Sequence, residues 1–248
     1  MSGAPVDIEI CIDSTESAVA AERGGAHRVE LCSALSEGGI TPSAGLIRCV
    51  CELVALPVFV IIRPRGGNFI YSHREIEVMQ RDIRDAKSFG VAGVVIGALT
   101  GDRCVDVERT RLLVELADPL SVTFHRAFDV CADQEQALHD VILCGADRVL
   151  TSGGAIDALR GVERIARLRE AAGDQIRIIA GGGVRSSNVV QIVQRTGICD
   201  VHTSLNAGLD SALTQGRSFP SYLEPNAPSQ QIVREEDVRA FKAALDLI

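Results

Sequence analysis

Two cysteines and two glutamates stand where this chain could do chemistry. Glu9 and Cys11 alternate with Ile8 and Ile10 in one β-branched run, and Glu30 and Cys32 alternate with Val29 and Leu31 in the next. Residues two apart in a strand share a face. Each run therefore puts a carboxylate and a thiol opposite its aliphatic residues. Neighbouring strands lie about 4.8 Å apart, so Cys11 and Cys32, at matching positions, could clamp one soft ion. Cu(I) suits such a pair because it prefers sulfur and tolerates low coordination, whereas zinc usually takes four ligands, or three and a water. Cys131, in a loop after the fifth run, could approach as a third thiol. The same spacing fits two inert cysteines in small slots, or a disulfide.

Inward glutamates are costly unless paired. Arg63, Arg65, His125 and Arg126 also end runs and are the partners expected. The arrangement would be a buried ion network, or an acid–base site with Glu9 or Glu30 as base and His125 as acid. Arg63-Pro64-Arg65-Gly66-Gly67 sets two fixed cations at the end of the third run. Ala180-Gly181-Gly182-Gly183-Val184 opens a helix after the seventh, and free backbone N–H groups there favour an anion, unless the glycines only make a tight turn. With His202 and Ser204 at the end of the eighth run, Arg63, Arg65, Arg126, Gly181 and Gly182 form an expected site for a small anionic or phosphorylated ligand.

Eight runs must position these residues: 6–11, 27–32, 57–63, 93–97, 121–125, 147–151, 176–180 and 200–204. Amphipathic stretches separate them at 14–24, 43–54, 72–89, 105–117, 133–144, 157–171 and 186–195. Ser14, Ser72, Asp133 and Asp157 read as helix caps, and Gly90, Gly145 and Gly197 as left-handed residues past helix ends. Strand–helix alternation demands parallel strands with right-handed crossovers. Eight units in 248 residues predict an α/β fold, a (β/α)₈ TIM barrel spanning 1–248 as one domain; a doubly wound open sheet is the competitor. Gly25-Ala26-His27-Arg28-Val29 recurs as Gly145-Ala146-Asp147-Arg148-Val149, four units later, as a barrel of two similar halves would show. Residues 205–231 are expected to be an irregular loop before a closing helix over 231–248. In a barrel the functional face is the C-terminal end of the strands, where all the residues above converge.

The chain carries 25 Lys and Arg against 33 Asp and Glu, a net charge of −8. That balance does not suit nucleic acid. It has no run of about 20 apolar residues to span a membrane, and Met1-Ser2-Gly3-Ala4-Pro5, with neither a basic nor an apolar stretch, is not expected to act as a secretory leader. Its 8 cysteines are expected to be reduced thiols, because a chain able to bury an ordinary core needs no disulfides. Cys49, Cys51, Cys144 and Cys199 read as packing residues.

The motifs together resemble the CutC copper-homeostasis family. They are Arg28-Val29-Glu30-Leu31-Cys32-Ser33, Glu37-Gly38-Gly39-Ile40-Thr41-Pro42-Ser43, Ile62-Arg63-Pro64-Arg65-Gly66-Gly67, Val122-Thr123-Phe124-His125-Arg126-Ala127-Phe128-Asp129 and Arg148-Val149-Leu150-Thr151-Ser152-Gly153. Glu9-Ile10-Cys11-Ile12-Asp13-Ser14 is similar to animal members. The resemblance implies the barrel, a cytoplasmic and also nuclear location, a homo-oligomer (dimer or tetramer), and Cu(I) handling at Cys11 and Cys32. The chain departs from the family pattern after the eighth run: Leu205 stands where a small residue is usual, and 205–231 hold one arginine, Arg217.

Overall fold

The computed structural model describes residues 5–208 and 231–247. Eight parallel strands close into a barrel, each pairing with its sequence neighbour and β8 returning to β1. The strands are β1 (Asp7–Ile12), β2 (Arg28–Leu31), β3 (Val58–Ile61), β4 (Gly93–Ile96), β5 (Ser121–Phe124), β6 (Arg148–Thr151), β7 (Arg177–Ala180) and β8 (Asp200–Thr203). The helices between them are α1 (Thr15–Gly24), α2 (Ala44–Leu53), α3 (His73–Ser88), α4 (Val107–Ala117), α5 (Gln134–Leu143), α6 (Val162–Ala172) and α7 (Val189–Thr196). The expected TIM barrel is the fold, and the open sheet is excluded by the β1–β8 ladder.

Alternation sorts the side chains into two cores. Ile8, Ile10, Ile12, Val29 and Leu31 face outward and pack with the helices. Cys11, Cys32, Phe59, Ile61 and Val95 form a separate apolar cluster inside the barrel. The caps follow the local chemistry. Ser14 accepts from Ser17, and Asp133 from Glu135 and Gln136. Ser72 forms a reciprocal capping box with Glu75, a device that satisfies two orphan N–H groups at once. The recurring Gly25 and Gly145 do the same job in their two halves, both left-handed, at φ 88° and 84°, where a helix turns into the next strand.

Three expectations are corrected. Asp157 does not cap α6. Its carboxylate accepts from Arg160 N–H and closes a turn, and Gly161 takes the cap position. A Cβ on Gly161 would lie 1.8 Å from the Ser152 carbonyl oxygen, so only glycine lets the two backbones touch. Residues 231–233 are not helical. They form β10 (Gln231–Val233), antiparallel to β9 (Asn206–Gly208), and the closing helix α8 is Glu235–Leu245. The expected irregular loop is therefore tied at both ends by a ladder, while 209–230 lie outside the described residues. Finally, Cys11 faces Glu30 across the β1–β2 ladder, so Cys32 sits two residues further along, not opposite.

Candidate functional site

Despite that offset, the two sulfurs lie 3.7 Å apart. Both thiols are free and buried. The Cys32 thiol donates to the Ile12 carbonyl at 3.4 Å, which leaves Cys11 as donor in the sulfur–sulfur contact. That contact and then burial push the Cys11 pKa well above its ordinary value. The Cys11 sulfur, a Glu30 carboxylate oxygen and a His202 ring nitrogen all lie within 4.8 Å of one another. Cys11, His202 and Glu30 thus form a mixed soft and hard donor set, with Cys32 behind Cys11.

Strand pairing builds this cluster. Glu9 lies between its β8 partner His202 and β2, where Glu30 is two residues beyond the Glu9 partner Arg28. His202 Nδ1 donates to Glu9 Oε1 at 2.7 Å, with Glu30 Oε2 at 3.7 Å. Arg28 Nε donates to the other Glu9 oxygen at 2.6 Å, and its guanidinium reaches Asp200 at 2.7 Å. Burial would raise the Glu9 pKa, but the His202 bond and the Arg28 charge outweigh it and hold it at about 2. Burial, together with the Glu9 charge, pushes Glu30 up to about 7 against the pull of His202 and Arg28. Burial also opposes charge on His202, but Glu30, Cys11 and Glu9 raise its pKa well above normal. At neutral pH Glu9 is ionised and His202 protonated.

The inward glutamates are therefore not paired by the rim residues that the sequence suggested. Glu9 is paired by Arg28 and His202, deeper in the barrel. The signal for Arg28 was present, since Arg28, Glu30 and Cys32 share one strand face by period two. The signal for His202 was not, since it needs the β8–β1 closure.

Above the cluster a cavity of about 300 Å³ opens at the C-terminal ends of the strands. Arg63, His125, Arg126, Gly182, His202 and Ser204 line it, alongside Phe69 and Arg185, which sequence reasoning did not single out. His125 packs against Phe69, with centroids 4.9 Å apart and the rings tilted by 51°. Its Nδ1 accepts from the Ala127 N–H at 3.1 Å, and burial, then Arg63, lower its pKa to about 3. The ring is neutral, so it has one N–H to give. Arg126 is bound to Asp129 and Ser152 and lies over Gly182, where a Cβ would come within 3.1 Å of the guanidinium. Gly181 serves packing: a Cβ there would strike Leu150 at 2.5 Å.

Two expected residues stand apart. Arg65 does not line the cavity. Its guanidinium is consumed by Glu75 at the start of α3 and by the carbonyls of Gly66, Asn68 and Ile70. Cys131 packs in the outer, helix-facing core, not with the thiol pair, and its thiol donates to the Ala127 carbonyl at 3.7 Å. Burial, then Cys104, raise its pKa to about 12.

The CutC family profile matches residues 6–207. A Homo sapiens protein called copper homeostasis protein cutC homolog is 50% identical over 206 residues, covering 83% of this chain and 76% of its own length. The Mus musculus homologue of the same name is 50% identical over 231 residues, covering 93% and 85%. The solved CutC structure from Streptococcus agalactiae superposes with a TM-score of 0.76 at 33% identity, covering 79% of this chain and 97% of that one. By profile, identity and fold, the chain belongs to the CutC family.

Proposed function

We propose that this protein handles copper by binding one Cu(I) between Cys11 and Cys32 at the floor of the barrel mouth. The observation that carries the reading is the 3.7 Å separation of two free, buried sulfurs. At that distance one soft ion reaches both with side-chain adjustment alone. Thiolate sulfur selects Cu(I) over harder ions. A dithiolate with one Cu(I) carries one net negative charge, and the protonated His202 beside Cys11 supplies the counter-charge. The mixed Cys11, Glu30 and His202 group fits zinc as a rival cargo. The names borne by the human and mouse relatives support copper. The reading assigns the protein to a reducing compartment, cytoplasmic and nuclear, where both thiols stay reduced.

Anaerobic titration of reduced protein with Cu(I), against a competing chelator, tests it. One Cu(I) per chain is expected, with affinity falling by at least about 100-fold in Cys11→Ser and in Cys32→Ser. Cys131→Ser is expected to bind as the parent does. Undiminished affinity in either of the first two variants, or tighter zinc than copper binding, overturns the reading.

A further inference from the structure

We propose that the cavity above the thiol pair binds a small carboxylate, held between the Nε–H of Arg63 and the Nε2–H of His125. This goes beyond copper binding and does not rest on it.

Arg63 is the first reason. It is 4% exposed, yet no carboxylate lies within ion-pair distance among the described residues. One terminal nitrogen donates to the carbonyls of Glu37 and Gly39, and the other to that of Gly67. Neutral carbonyls satisfy three of its five N–H groups but leave its charge uncompensated, and a buried charge without a partner is costly. Its Nε makes no hydrogen bond, although the Tyr71 hydroxyl, likewise unpartnered, lies beside the Arg63 side chain.

His125 is the second. With Nδ1 accepting from Ala127, a neutral ring carries its proton on Nε2, and that nitrogen is also buried and unpartnered. The two donors flank one aromatic ring: the Arg63 guanidinium lies 4.9 Å from the Phe69 centroid, and the His125 ring lies at the same distance. Two independent, buried N–H donors without hydrogen bonds therefore belong to residues lining the same cavity. Unsatisfied buried donors are rare in native proteins, and a ligand oxygen for each would satisfy both.

The surroundings fix the ligand class. Among the described residues that line the cavity, Arg63 and Arg185 make no ion pair, Arg126 is paired with Asp129 and His202 with Glu9, and Glu30 is the one acid. That local excess stands out in a chain of net charge −8 and favours an anion. Carbonyls take three of the four terminal N–H groups of Arg63, so few of its donors remain. They match the two oxygens of a carboxylate better than a phosphate, whose three strong acceptor oxygens call for more donors. The volume is at the small end of ligand pockets, which span about 300–1,000 Å³, so a metabolite of a few carbons fits. Leu35, Ile61, Leu150 and Phe69 give its carbons an apolar wall.

The test uses metal-free, reduced protein, so its outcome and that of the copper titration are separable. Acetate, pyruvate, succinate and inorganic phosphate are the probes. Thermal unfolding is expected to shift up by roughly 5–10 °C at a hundredfold excess of a bound carboxylate over its Kd. In Arg63→Lys and in His125→Asn the same carboxylate is expected to bind at least tenfold more weakly. Should either variant fold poorly, NMR of the parent protein reads the site directly. The Arg63 Nε–H resonance is expected to move on carboxylate addition. A response to phosphate alone overturns the carboxylate assignment. An unmoved Arg63 Nε–H resonance with all four probes overturns the site.

Discussion

At the scale of single residues, the barrel interior is a set of opposed pKa shifts around one charge network. His125 illustrates how this reaches stability. Its pKa falls from 6.5 to about 3 on folding. The unfolded chain therefore takes up a proton below about pH 6.5 that the folded protein refuses. The stability His125 contributes is complete above that pH and is lost as pH falls toward 3. His125→Phe is expected to flatten the stability–pH curve between pH 6.5 and 5, where one such group contributes up to about 1.4 kcal/mol per pH unit. Equilibrium urea unfolding at several pH values checks it, and an unchanged slope would refute a neutral buried ring. Arg28 makes the complementary case. It neutralises Glu9 and Asp200 inside the barrel, so Arg28→Met strands buried charge and is expected to cost about 3–5 kcal/mol in the same measurement.

At the scale of elements, glycines and caps decide how closely strands and helices approach. Gly93 in β4 leaves room for the Phe59 ring, which a Cβ would meet at 2.2 Å, and for the Ser121 carbonyl at 2.6 Å. Phe59 in turn carries the guanidinia of Arg28 and Arg148 over its face, at 5.9 and 5.0 Å. Gly93→Ala is expected to cost about 1–3 kcal/mol by overpacking, read from the shift in denaturation midpoint at constant m-value. The α3 cap is a milder test: Ser72→Ala removes half of a capping box and is expected to cost about 1 kcal/mol. Most caps were readable in advance, because a side-chain oxygen one residue ahead of an apolar-periodic stretch is local information. Asp157 was misleading because the close approach of Gly161 to Ser152, which only glycine permits, sets the start of α6.

At the scale of the whole molecule, closure matters more than any one contact. Joining β8 to β1 brings His202 to Glu9 and completes both the charge network and the cavity wall. The closing helix α8 seals this seam from outside, packing Val238 against Gly24, where a Cβ would lie 2.4 Å from the valine. Phe241 on the same helix is fully buried. Phe241→Ala is expected to cost about 3–5 kcal/mol, and a loss under about 1 kcal/mol by chemical denaturation would show that α8 is dispensable for the barrel.

The sequence by itself determined the architecture and the faces. Period-two alternation put Glu9, Cys11, Glu30 and Cys32 inside, and eight strand–helix units implied a barrel with its chemistry at the strand ends. Both are local patterns repeated along the chain, which the order of residues carries without tertiary contacts. Tertiary structure alone decided which inward residues meet. The β1–β2 register set Cys32 beyond the partner of Cys11 and still brought the sulfurs together. Closure gave Glu9 its histidine. Competition for acceptors tied Arg65 to Glu75 and left Arg63 Nε without a hydrogen bond. Such pairings depend on strand register and on side chains many residues apart, for which spacing along the chain carries no information.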